Sequence, residues 1–191
     1  MSQFQAPRTM ILLDPAMELN RPPRTNAAKR RVASGATRSL FLPSTRSLSG
    51  FLVQAQAAVR LRGQVTVLLT GDAALRALNR RFRRKNKPTD VLSFPAAAFK
   101  NAKPAQRIAG DLAISVETAR RQAEARGHSL ATEIKILILH GLLHLAGYDH
   151  EADSGQMNRR ERHLRARLRL PHGLIERETL PKSGSSAGGL Q

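Results

Sequence analysis

Apolar positions recur along this chain with two periods. Ser47–Arg62 carries Leu48, Phe51, Leu52, Ala55 and Val59 at spacings of three and four. That is the stripe of a helix, and Gly63 is expected to end it. Asp72 is placed as the N-cap of a second helix through Leu75, Leu78 and Phe82. Val116–Arg126 reads as a third, stopped by Gly127. Ser129 then caps a long apolar helix to about Ala146, stopped by Gly147, and Ser154–Leu168 is a last amphipathic helix before Pro171. Short runs rich in β-branched and apolar residues carry the other period. They are Met10–Asp14, read as a short buried strand, Gln64–Thr70, Val91–Phe94 between two prolines, and Asp111–Ser115 after Gly110. The order β α β α β β α α α predicts an α+β domain, one mixed sheet with helices packed on it.

Composition sets the limits of that domain. A chain of 191 residues that is 41% hydrophobic can bury one real core. Residues 1–8 read as a flexible N-terminus, 9–170 as the folded domain and 171–191 as a disordered Gly/Ser-rich tail. Within the domain, 20–46 reads as a basic arm of weak order. There is no cysteine, which excludes disulfides, a disulfide-linked partner, thiolate metal ligands and a Cys nucleophile. Any transition-metal site must use His and carboxylates. The longest apolar run, Ile136–Ala146, is interrupted by His140 and His144. It falls short of the roughly 20 residues of a membrane span. No targeting segment is visible either, so a cytoplasmic location without a membrane partner is expected.

Charge names the kind of partner. Lys and Arg total 32 against 14 Asp and Glu, a formal +18. Such an excess calls for a polyanion. It is uneven: residues 1–110 hold 20 basic and 4 acidic residues, or +16, and residues 111–191 hold 12 and 10, or +2. Seven aromatic rings, none of them Trp, are few for stacking successive bases. Phosphate contacts should therefore supply most of the affinity for a nucleic acid.

The near-neutral part carries the candidate chemistry, HGLLHLAGYDH over 140–150. His140 and His144 lie four residues apart on the predicted helix, about 6 Å along its axis and on one face. Gly147 can close the helix with a positive φ, which lets His150 swing back toward them. Three imidazoles and an open fourth position suit a catalytic Zn²⁺, although other divalent transition metals also favour imidazole. The spacing matches a zinc peptidase as well, but that chemistry places a Glu directly after the first His, and here Gly141 stands there. Asp149 and Glu151 flank His150 and could orient a ligand, relay a proton or simply cap and solvate. His128, His163 and His172 are isolated, read as surface or boundary residues.

A second segment is dense in cations: Arg80, Arg81, Arg83, Arg84, Lys85 and Lys87 in eight positions without an acid. Its self-repulsion is relieved by a polyanion, and an arginine there could stabilise charge developing on phosphate. Asn86–Asp90 is turn chemistry leading into a strand.

Together these stretches resemble the YbeY family of bacterial rRNA-maturation endoribonucleases. The likeness is carried by Leu78-Asn79, by Phe82-Arg83-x-Lys85-x-Lys87 running on through Pro88-Thr89-Asp90-Val91-Leu92-Ser93-Phe94-Pro95, by Gly110–Ile114, and by His140–His150. It covers about residues 60–170. The resemblance implies one α+β domain with a four-stranded sheet, and a metal, usually zinc, on His140, His144 and His150. It implies that Arg83 is essential for RNA cleavage. Arg80, Arg81, Arg84, Lys85 and Lys87 are then expected to bind RNA. The activity implied is single-strand-specific endonucleolysis in 16S rRNA 3′-end maturation and ribosome quality control. Single-stranded rRNA and the small ribosomal subunit are the partners implied. The basic arm at 20–46 lies outside the family core, and Phe82 stands where Tyr is common. Two other readings share the same residues: a zinc peptidase lacking its base, and a ribosome-associated RNA-binding protein whose zinc is structural. The latter needs a fourth ligand from Asp149 or Glu151.

Overall fold

Alternation along β2, Gln64–Thr70, sets the architecture: Val65, Val67 and Leu69 are wholly buried, and the residues between them are half-buried. This strand pairs in parallel with Met10–Leu13 (β1) on one side and Ile108–Ser115 (β4) on the other. Val91–Pro95 (β3) closes the sheet, antiparallel to β4. The order is β1-β2-β4-β3, a mixed four-stranded sheet. The structure is a computed structural model that describes residues 9–16, 42–97, 107–150 and 152–171. The expected flexible ends 1–8 and 172–191, residues 20–41 of the basic arm, Glu151 and His172 lie outside the described residues.

Among the described residues are five helices of 11–16 residues, α1 Thr45–Val59, α2 Asp72–Arg83, α3 Val116–Arg126, α4 Leu130–Leu145 and α5 Gln156–Arg167, the first four on the sheet and α5 against α4. Successive residues of β4 point to opposite faces. Leu112 and Ile114 join the large core with α1, α3, α4 and α5, whereas Ala113 joins Leu75 of α2 and Leu92. The sheet is thus sandwiched, with α2 alone on one face among the described helices. Inside the large core lies α4, with Ile134, Ile136, Leu137, Ile138, Leu139, Leu142 and Leu143 at 1% exposure or less. Its start is the one expected: Ser129 accepts a hydrogen bond from the Thr132 amide at 3.1 Å.

Four local expectations are corrected. Asp72 is not the N-cap of α2; Gly71 is, and the Asp72 carboxylate reaches across to Ser115, Thr118 and Arg121 at the start of α3. That α3 network outcompetes the cap because it offers the carboxylate three donors. Helix α1 ends at Val59, before Gly63, because Arg60 itself takes the left-handed conformation at φ 66°. β4 begins three residues before Asp111, running through Gly110 at φ 146°. A Cβ there would lie 2.4 Å from the Phe94 carbonyl oxygen, so only glycine lets the strand pass. β1 is an edge strand with Met10 and Leu12 each 45% exposed, and so is only partly buried.

Candidate metal centre

The site grows out of one stripe of α4. Glu133, Leu137, His140 and His144 follow at steps of four, three and four, so they share a face. After His144 the helix closes as the glycine requires: Gly147 takes φ 90° and donates to the His144 carbonyl at 3.0 Å, and Tyr148 donates to that of Leu143 at 3.0 Å. This turn brings His150 over the other two. Ring centroids lie 4.8 Å apart for His140–His144, 5.4 Å for His140–His150 and 5.2 Å for His144–His150. One ligand nitrogen from each ring falls within 4.8 Å of the others.

The ring orientations suit a metal. His140 donates from Nδ1 to Glu161 Oε2 at 3.0 Å, which leaves the Nε2 lone pair facing His144 Nε2 at 3.2 Å. Two ligands of one tetrahedral zinc stand about 3.3 Å apart, given Zn–N bonds of about 2.0–2.1 Å. Burial pushes the His144 imidazole below its ordinary range, and His140 and His150 push it the same way. It is therefore neutral and able to ligate at neutral pH. On α5, Glu161 is 2% exposed and also accepts from Arg165 Nε at 2.9 Å and from its Nη2. Burial alone would raise the Glu161 carboxyl, but His140 and Arg165 together hold it below its ordinary value. The donor set, three imidazoles with one locked by a buried carboxylate, fits a divalent transition metal such as zinc.

A cleft of about 900 Å³ opens over these rings. β3 and the 147–150 turn line it, together with Phe82 and Arg83 from the end of α2, Arg126 from the end of α3, and Leu137 on α4. Arg83 is thus brought to the histidines. Arg80, Arg81, Arg84, Lys85 and Lys87 are exposed but do not line the cleft. Their turn is held from α2: Asn79 Nδ2 donates to the Lys87 carbonyl at 2.8 Å and Arg76 Nε to Asn86 Oδ1 at 2.9 Å. Asp90 accepts from the Val91 amide at 2.8 Å and from Gln122 Nε2 at 3.0 Å, the structural role expected of the turn. Phe82 is 57% exposed and leans edge-on against Phe94, with ring centroids 5.2 Å apart.

Gly141 explains the missing peptidase base. It is buried against the sheet, and a Cβ there would meet Leu112 Cδ2 at 2.7 Å. A larger side chain there must displace Leu112. His163 is exposed as expected, while His128 pairs with the buried Glu133. Sequence reasoning missed Glu161 and Arg126. No spacing rule ties either to the triad, since 11 residues separate Glu161 from His150 and a helix boundary separates Arg126 from α4. Among the described residues no helix is long and apolar enough to cross a membrane.

The family model described as endoribonuclease YbeY matches residues 44–169. An endoribonuclease YbeY of Koribacter versatilis is 55% identical over 138 residues, covering 72% of this chain and 86% of that one. Its counterpart in Solibacter usitatus is 56% identical over 110 residues, 58% of this chain and 69% of that one. The solution structure of TM1509 from Thermotoga maritima overlays with a TM-score of 0.47 at 23% identity, covering 67% of this chain and 85% of that one. Matched over most of its described residues and carrying the three-histidine centre, this chain belongs to the YbeY endoribonuclease family.

Proposed function

We propose that this protein is a zinc-dependent endoribonuclease that cuts single-stranded RNA in the cytoplasm. Its substrate would be precursor 16S rRNA near the 3′ end, on the small ribosomal subunit, with a part in ribosome quality control. The observation that carries the reading is the shared cleft: Arg83 and all three imidazoles line it. Bound by these imidazoles, zinc supplies Lewis acidity toward phosphate and water. The chain does the remainder. Glu161 keeps the His140 proton on Nδ1 and so the Nε2 lone pair in the site. The Arg83 guanidinium grips the scissile phosphate and neutralises the charge that grows on it during displacement. Arg80, Arg81, Arg84, Lys85 and Lys87 guide the strand to the cleft mouth through its phosphates.

Zinc-loaded protein, freed of contaminating nuclease, is incubated with single-stranded 16S precursor beside Arg83→Ala and His144→Ala. Arg83→Ala is expected to bind metal normally and lose about 10²–10³ in cleavage, the size of one lost charge-stabilising donor. His144→Ala should lose both metal and cleavage. Wild-type protein no more active than Arg83→Ala would instead favour an RNA-binding protein with a structural metal, whose removal costs stability alone.

A further inference from the structure

We infer that Arg126 forms a second phosphate subsite, which takes a backbone phosphate of the same strand other than the one that is cut. Arg126 is the last residue of α3, outside the basic segment, yet it lines the same cleft as Arg83 and the histidines. Its side chain is 31% exposed, and Nη1 donates to Glu133 Oε1 at 2.6 Å. Glu133 is wholly buried, and its other oxygen is engaged by His128. The guanidinium is thereby anchored at one corner. One of its five N–H donors is committed to that anchor, and the side chain lines the cleft, so its remaining donors can serve a phosphate there. An arginine already held in place loses little side-chain freedom when the anion arrives.

The α4 stripe separates the two positions along the helix. Glu133 precedes His140 by seven residues on the same face, about 10 Å along the helix axis at about 1.5 Å per residue. A phosphate held by the arginine that Glu133 anchors is therefore a different one from the phosphate at the histidine centre. Arg80, Arg81, Arg84, Lys85 and Lys87 are exposed and do not line the cleft.

This inference rests on the endonuclease reading, and the test separates the two. Oligoribonucleotides of one sequence, lengthened by single nucleotides on either side of the cut, are digested by zinc-loaded wild type and by Arg126→Gln. Glutamine keeps a donor for Glu133 while dropping the charge, and matching thermal melts establish that the variant is folded. In wild type, kcat/KM should step up about tenfold at one added nucleotide on one side of the cut, the scale of a charged hydrogen-bonded contact. In Arg126→Gln that step should shrink to about twofold or less. A second arm reads binding without cleavage: in a His144→Ala background, Arg126→Gln should reduce the slope of log Kd against log salt by about 0.7, one phosphate's share for a single strand. Equal steps in both proteins, or an unchanged slope, overturn the subsite and leave the endonuclease standing. If wild type cuts no length, the endonuclease reading falls, and the binding arm alone decides Arg126.

Discussion

Glu161 is the residue through which the rest of the molecule reaches the metal centre. Its carboxylate orients His140 and is itself held by Arg165, both partners being 2% exposed. Carboxylates that orient a ligating histidine are typically worth 10–100-fold in metal affinity. Glu161→Ala should therefore weaken zinc binding by about that factor, read by competition with a chromophoric chelator. Glu161→Gln, which can still accept from His140 Nδ1, should fall between. An affinity equal to wild type in both would mean that the three rings hold their own orientation. The contrast with the ligands shows what the sequence could tell. His140, His144 and His150 could be read because helical periodicity and one glycine turn place all three within eleven residues. Glu161 could not, because its approach depends on how α5 docks against α4. Arg83 was separable from its neighbouring cations only by the family motif. The structure adds the reason, since of these six cations it alone lines the cleft.

Element boundaries followed local chemistry where the partner was local and departed from it where a distant group competed. Ser129 and Gly127 act as read, because their bonds close within a few residues. Asp72 did not, because its partners lie more than 40 residues away on α3. Burial tends to raise the Asp72 carboxyl, but hydrogen bonds from Ser115, Thr118 and Arg121 outweigh it and hold the group below its ordinary 3.8. A depressed carboxyl stabilises the fold above its unfolded-state pKa, and that contribution is lost as pH falls through the folded value. Asp72→Asn should therefore melt below wild type at neutral pH, and the gap should close only in acid below 3.8. Melting curves across that range check the sign; a gap that widened in acid would contradict it. Gly141 tests the opposite side of the sheet. Gly141→Ala puts a methyl against Leu112, and overpacking of this kind costs about 1–3 kcal/mol. A lowered melting temperature with the cleft histidines still able to bind zinc is the expected outcome.

At the scale of the whole molecule, charge and chemistry are divided. The N-terminal 110 residues carry +16 and the remainder +2, while the metal ligands belong to the remainder. Folding does not mix the two uniformly. Of the cations at 80–87 only Arg83 lines the cleft. On the proposed function, much of the excess charge would therefore act on affinity and delivery rather than on bond breaking. The segment 20–41 contributes Arg21, Arg24, Lys29, Arg30, Arg31 and Arg38 with no acid. If each met a phosphate, replacing all six with glutamine would flatten the salt slope of single-strand binding by up to about 4, six contacts at about 0.7 each. Fewer contacts give a proportionate change, and Arg126→Gln gives about 0.7. The same six-fold replacement should raise KM at moderate salt far more than it lowers kcat, because on the proposed function the bond-breaking groups are Arg83 and the metal centre. Equilibrium binding across a salt series with His144→Ala protein measures the first effect, and saturation kinetics measure the second. A slope unmoved by the loss of six charges would place the docking field elsewhere, on the exposed 80–87 turn. A fall in kcat as large as the rise in KM would bring the segment into the cleavage step itself.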